Sequence, residues 1–165
     1  MTQILPSELL DDAKTLIERC RDAGLKIATV ESCTGGLLAG ALTSIPGSSE
    51  VLERGFVTYS NEAKSELVGV PDALIAAHDA VSEEVARAMA EGGIARSRAD
   101  IAVAVTGVAG PGGGTAAKPV GLVYIAAARE GGETRHLARV FSGDRDDIRL
   151  ASVSAGLGLL LRLAG

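Results

Sequence analysis

The sequence predicts an α/β fold: a three-layer α-β-α single domain over residues 1–165, with a mixed, mostly parallel sheet and an antiparallel C-terminal hairpin. Three observations predict it. Helix-period apolar stripes alternate with short runs of strand character, which calls for helices packed on a sheet. The run Ile101-Ala102-Val103-Ala104-Val105-Thr106 is apolar without alternation, as a strand covered on both faces must be. The last two strand candidates are separated by little more than Gly131-Gly132, too short a link for a crossover helix, so they pair as a hairpin.

Each element has its own signal. Leu9, Leu10, Ala13, Leu16, Ile17, Cys20 and Ala23 form a helical stripe from about Ser7, with Gly24 placed to end it. Ile27-Ala28-Thr29-Val30 reads as a short buried strand, and a helix runs from about Gly35 to Ser44. Pro46-Gly47-Ser48-Ser49 is a turn, and Phe56-Val57-Thr58-Tyr59 a second strand. Asn61 reads as the cap of a short helix from Glu62 to Leu67, followed through Val70-Pro71-Asp72 by another helical piece to about His78. Ser82 caps the next helix, whose first turn holds Glu83 and Glu84 as the dipole prefers, and which reaches roughly Ser97. After the central strand, the segment from Gly107 to Pro119 contains five glycines and two prolines and reads as a loop. Gly121 to Ala128 and Glu133 to Phe141 are the hairpin strands. Gly143-Asp144 opens a closing helix with Ile148, Ala151, Ala155, Leu159 and Leu163 among its apolar positions.

Composition narrows the function. A chain of 165 residues can bury roughly 70% of the surface its unfolded form exposes, so it holds a core without staples. Two Tyr, two Phe, no Trp and 21 Gly make that core aliphatic and closely packed. A net charge of -5 and so few aromatics argue against nucleic-acid binding, which needs clustered Lys and Arg and rings for stacking. Cys20 and Cys33 do not make a disulfide framework, no signal segment opens the chain, and no apolar stretch reaches the length of a membrane span. A cytoplasmic protein without a membrane partner is expected.

Three polar clusters fall where strands end, the place where open α/β sheets gather ligands: Ser32 to Thr34, Tyr59 to Lys64, and Thr106 to Gly114. Ser32 or Thr34 would do no more than cap a helix on position alone; beside a base, Ser32 is a nucleophile. Lys64 lies in the first turn of its helix, where the dipole favours the neutral amine, and Ser-Lys pairs are a known nucleophile and base arrangement. A charged Lys64 would instead bind a phosphate. Tyr59 can orient either group. Arg145 and Arg149, one helical turn apart, present two guanidinium forks for phosphate or carboxylate, or pair with Asp144, Asp146 and Asp147 as a solvated capping cluster. Neither His78 nor His136 adjoins a polar cluster, which removes a Ser-His-Asp triad. The two His and two Cys lack metal-ligand spacing. The glycine-rich loop lacks a Gly-Lys-Ser/Thr ending and so is not an ATP-binding P-loop. Cys33 has no histidine partner, so Ser32 is the preferred nucleophile.

The motifs Glu31-Ser32-Cys33-Thr34-Gly35-Gly36, Tyr59-Ser60-Asn61-x-x-Lys64, Ala80-Val81-Ser82-Glu83-Glu84-Val85-Ala86, Thr106-Gly107-Val108-Ala109-Gly110-Pro111-Gly112-Gly113, Lys118-Pro119-Val120-Gly121 and Phe141-Ser142-Gly143-Asp144-Arg145, with Arg149, occur in one fixed order. In these the chain closely resembles the C-terminal domain family of the competence/damage-inducible protein CinA, whose members include stand-alone nicotinamide mononucleotide (NMN) deamidases. The resemblance implies hydrolysis of the NMN carboxamide to nicotinic acid mononucleotide and ammonia, a step of pyridine nucleotide salvage, with no metal or organic cofactor. It implies Ser32 as nucleophile, Lys64 as base, Tyr59 and Thr106 as supporting groups, and Arg145 on the substrate. Thr34, Gly35, Gly36, Asn61, Gly107, Gly110 and Arg149 are the other residues expected to face the substrate. Backbone N–H groups near Gly35 are expected to hold the oxyanion, with Thr34 taking over the capping role. The chain departs from the family at Asp79, where glycine is usual before Ala-Val-Ser. Some relatives carry a further N-terminal domain with nucleotide pyrophosphatase activity, for which 165 residues leave no room. A non-catalytic nucleotide-binding module, or an amidase for another substrate, would use the same residues. Assembly of identical copies through the outer strand or the helix faces is expected.

Overall fold

The computed structural model describes residues 2–165. In chain order it contains α1 (Ser7–Ala23), β1 (Ile27–Glu31), α2 (Leu37–Thr43), a single 3-10 turn (Ser48–Glu50), β2 (Leu52–Val57), α3 (Asn61–Val68), α4 (Asp72–His78), α5 (Glu83–Ala95), β3 (Ile101–Gly107), β4 (Leu122–Arg129), β5 (Arg135–Val140) and α6 (Arg145–Ala164). The sheet order is β2-β1-β3-β4-β5. β1 pairs in parallel with β2 and β3, while β3–β4 and β4–β5 are antiparallel. Pairings thus divide evenly, yet every strand except β4 runs the same way, because two successive reversals restore the direction of β5.

The two faces of the sheet carry different side chains. Ile27, Ile101, Val103, Val105, Val123 and Ile125 point toward α1, α2 and α6 and form the larger core with Leu16, Ile17, Leu38, Leu157 and Leu160. The opposite face presents Ala104, Ala126 and Ala128 to Val85, Ala86, Met89 and Ala90 of α5, with Val68, Val70 and Ile75 from α3 and α4 around them. Methyl groups on the sheet let α5 sit close. A Cβ on Gly93 would come within 2.7 Å of Val30 Cγ2, and one on Gly92 within 1.9 Å of the Val68 carbonyl oxygen, so α5 touches both the sheet and the end of α3 at glycines.

Four local expectations are corrected. α2 begins at Leu37 rather than Gly35, because Gly35 (φ 60°) and Gly36 (φ 104°) are both left-handed, a conformation that ends or precedes a helix but does not continue one. Thr34 does not cap α2; its hydroxyl is buried without a partner. Ser60, not Asn61, caps α3: Ser60 is extended and its hydroxyl accepts the Ala63 N–H at 3.0 Å, while Asn61 is the first helical residue. β2 begins at Leu52 and stops at Val57; its register steps from Ile27↔Leu52 to Ala28↔Arg54, so Glu53 is bulged out and the polar Glu53-Arg54-Gly55 interrupts any apolar signal.

β1 lies between β2 and β3, and the chain leaves β1 toward β2 by way of α2 but crosses back to β3 through α3, α4 and α5 on the other face. Strand order therefore switches direction at β1, and the carboxyl ends of β1 and β3 are where a sheet of this kind gathers its ligands. Among the described residues no helix is long and apolar enough to cross a membrane.

Candidate active site

Ser32 follows the last residue of β1 and is tied to β3 by its N–H, which donates to Val105 O at 3.0 Å. Lys64 stands on α3, in the helical connection to β3, and is 1% exposed. Its Nζ lies 3.2 Å from Ser32 Oγ, 2.9 Å from Thr58 O and 3.4 Å from the carbonyls of Tyr59 and Ser60. No salt bridge to Lys64 occurs among the described residues. Burial holds its pKa below the ordinary lysine value. As an ammonium, Nζ donates to Ser32 Oγ and to the surrounding carbonyl oxygens; once deprotonated, it keeps two hydrogens for carbonyls and has a lone pair for the Ser32 hydroxyl hydrogen.

Glu31, a member of the Glu31-Ser32-Cys33-Thr34-Gly35-Gly36 motif whose role the sequence does not show, organises the turn after β1. Its buried carboxylate accepts the N–H of Leu38 at 2.8 Å and of Ala39 at 3.1 Å, so the first turn of α2 is already capped by a side chain from the strand. Those donors are not open to a ligand, contrary to the expectation that the helix start holds an anion. The remaining backbone donors can be counted. Gly35 N–H closes a turn on Ser32 O at 3.0 Å, and Leu37 N–H donates to Thr34 O at 3.1 Å. Among the described residues the N–H groups of Cys33, Thr34 and Gly36 donate to no carbonyl oxygen.

Tyr59 is exposed, and its hydroxyl accepts from Arg145 Nη2 at 3.1 Å; Arg145 Nη1 donates to Gly110 O at 2.7 Å. Arg145 thereby spans from β2's end to the glycine-rich loop. Beyond it lies a cavity of about 590 Å³ lined by Ala109, Pro111, Val120 and Gly143 to Asp146, which Ser32 and Lys64 do not line. Asp144 and Asp147 cap α6 reciprocally and leave both arginines free of carboxylates: Arg149 donates instead to Cys33 O and Thr34 O. Thr106 donates its hydroxyl to Ala80 O at 2.9 Å and so ties β3 to the α4–α5 connection. Asn61 is exposed at the start of α3, and Gly107 is required by the sheet, since a Cβ there would meet Leu122 O at 2.8 Å. Burial pushes the Cys33 thiol up to about 11, which makes it a poor nucleophile beside Ser32.

Among the described residues no group of three or more His, Cys, Asp or Glu could hold a metal ion. Asp79 is the only non-glycine residue described with positive φ, at 69°, and its carboxylate is 3.5 Å from Lys118 Nζ, which also donates to His78 O at 2.8 Å.

The family model described as the CinA C-terminal domain matches residues 10–164. A CinA-like protein of Akkermansia muciniphila is 51% identical over 148 residues, covering 89% of this chain and 36% of its own length. One from Mycolicibacterium paratuberculosis is 54% identical over 149 residues, covering 86% of this chain and 33% of its own. The chain thus spans about a third of these curated relatives. Among solved structures, a competence/damage inducible protein of Agrobacterium tumefaciens superposes with a TM-score of 0.97 at 47% identity, over 99% of this chain and 100% of that one. A competence-damaged protein (CinA) superfamily member of Escherichia coli gives 0.90 at 34% identity, over 98% and 94%. The chain belongs to the CinA C-terminal domain family.

Proposed function

We propose that the chain is an amidohydrolase that converts NMN to nicotinic acid mononucleotide and ammonia, with Ser32 as nucleophile and Lys64 as base. The observation that carries this reading is the 3.2 Å contact between Ser32 Oγ and the buried Lys64 Nζ, an amine with lowered pKa and no carboxylate partner. Lys64 takes the hydroxyl proton as Ser32 Oγ forms a bond to the carboxamide carbon, and the carbonyl π electrons move onto oxygen. The N–H of Cys33, next to the nucleophile and with no carbonyl acceptor among the described residues, is the first donor for that oxyanion. As the C–N bond breaks, the Lys64 ammonium gives its proton to the departing ammonia. Water, deprotonated by Lys64, then attacks the ester and restores Ser32.

Arg145 takes the phosphate. Its guanidinium is exposed and its partners are neutral oxygens, Gly110 O and Tyr59 Oη, which an anion can replace at a gain in charge-assisted hydrogen bonding. The adjoining cavity gives room for the rest of the nucleotide. The same reading takes residues 1–165 as one amidohydrolase domain, acting in the cytoplasm in pyridine nucleotide salvage as an assembly of identical copies, with no cofactor and no nucleic-acid or membrane partner.

Incubation of the purified protein with NMN and measurement of released ammonia tests the reading, with Ser32→Ala as control. Full turnover by that variant would remove Ser32 as nucleophile. A second reading draws on the three carbonyls around Lys64 Nζ, which would also hold an ammonium ion. On it the chain binds a nucleotide without breaking a bond. NMN would then raise the melting temperature while no ammonia forms.

A further inference from the structure

The turn that carries Ser32 is closed by one backbone hydrogen bond, Gly35 N–H to Ser32 O, with Cys33 and Thr34 at its centre. Turns of this kind have two states related by rotation of the central peptide, which exchanges the directions of one carbonyl and one N–H. The segment is soft on its C-terminal side, where Gly35 and Gly36 are both left-handed. Of its two central side chains neither fastens it by a recorded hydrogen bond to another residue, the Thr34 hydroxyl having no partner; Ser32 at its start meets Lys64 Nζ. What fastens it comes from α6: Arg149 Nε donates to Cys33 O at 3.1 Å and Arg149 Nη2 to Thr34 O at 3.3 Å. The guanidinium is half-buried, and no carboxylate shares it among the described residues.

We propose that Arg149 is a positioning residue for the nucleophile, locking the central Cys33–Thr34 peptide of the turn in one orientation. Its planar fork matches two successive carbonyls, a geometry a lysine reproduces only in part. Because a trans peptide points C=O and N–H in opposite directions, holding the Cys33 oxygen toward α6 turns the Thr34 N–H away from it. That fixes the backbone on which Ser32 Oγ and the Cys33 N–H are presented. The α6 platform is firm at this point, as the reciprocal Asp144–Asp147 cap starts the helix one turn earlier. Arg149 thus acts through the turn and does not touch substrate, unlike Arg145. The catalytic consequence rests on the proposed Ser32 chemistry; the lock itself does not.

Two measurements on Arg149→Met and Arg149→Lys test this. Amide hydrogen exchange at Gly35, whose N–H closes the turn, should accelerate about tenfold or more in Arg149→Met and less in Arg149→Lys. Unchanged exchange at Gly35 would overturn the lock whatever the enzyme does. With NMN, kcat of Arg149→Met should fall about 100-fold while KM stays within about threefold, and Arg149→Lys should recover part of the loss. A raised KM with kcat preserved would make Arg149 a substrate ligand instead. Activity of Ser32→Ala, run alongside, separates failure of the nucleophile reading from failure of the lock. Should Arg149→Met not fold, the exchange and the split in Arg149→Lys decide alone.

Discussion

The Glu31 carboxylate accepts the Leu38 N–H at 2.8 Å, so the last residue of β1 caps the helix that follows it, seven positions on. Glu31 is 1% exposed and also accepts from Ala39. Strand, Ser32 turn and helix are thereby one hydrogen-bonded unit. Replacing it by alanine leaves two N–H groups unpaired at a buried helix start and should cost about 2–4 kcal/mol, read as a lower urea midpoint. Glutamine keeps one strong acceptor and should cost less. Equal stability of the alanine variant and the parent would show that water or a neighbour replaces the cap.

Lys64 links rate and stability to pH with the same sign. Between its lowered folded pKa and the ordinary 10.5, the unfolded chain holds a proton that the folded one has released. Folding stability therefore rises with pH across that window, and the fraction of neutral amine rises with it. On the proposed mechanism, kcat climbs through the same range. Lys64→Met should abolish turnover and flatten this part of the stability profile, measured by denaturation at a series of pH values. A parent protein whose stability falls, relative to that variant, as pH rises toward 10.5 would contradict the lowered pKa of Lys64.

Arg145 and Arg149 are predicted to separate kinetically. Arg145→Met should raise the KM for NMN by about 10- to 100-fold, the worth of a charge-assisted contact, with a smaller effect on kcat. Michaelis profiles for the two methionine variants give the comparison directly.

Asp79 occupies a backbone conformation, φ 69° and ψ 161°, that is otherwise open to glycine alone. Such strain costs on the order of 1–3 kcal/mol, while glycine's extra unfolded-state freedom returns up to about 1. Its pairing with Lys118 is exposed on the Asp79 side and worth little. Asp79→Gly should accordingly raise the melting temperature. A lower one would mean that the link to Lys118 and the glycine-rich loop outweighs the strain.

Gly92 is the opposite case. A Cβ there would stand 1.9 Å from Val68 O, so Gly92→Ala must push α5 off the end of α3 and should cost about 2–3 kcal/mol in thermal or denaturant unfolding.

Much of this was legible in the chain because local chemistry decides it. The unbroken apolar run of β3, the Ser82 cap and the Gly24 stop need no partner from elsewhere to be read. Ser32 and Lys64 stood out as strand-end polar groups, and the structure brings them within 3.2 Å. What escaped depends on partners distant in sequence or on one backbone angle. Ser60 and Asn61 are both capping types, and only the extended conformation at Ser60 selects between them. Glu31 looked like part of a motif because its partners lie in the helix beyond the turn. The bonds of Arg149 to Cys33 O and Thr34 O could not be read from the sequence, because these acceptors lie more than a hundred positions away. β2 was truncated because the bulged Glu53 and the polar Arg54 hide an edge strand that needs no apolar alternation.

The alanine-lined face of the sheet sets a gap. Lys64 rides on α3, which rests on α5, which in turn rests on the methyl groups of Ala104, Ala126 and Ala128. Ser32 is fastened to the sheet itself through Val105. The separation of amine and hydroxyl is therefore a stacking height, summed over layers of side chains that never meet a ligand. A single added methylene on the sheet floor would lengthen it, so this face has room to drift in hydrophobicity but none to drift in thickness.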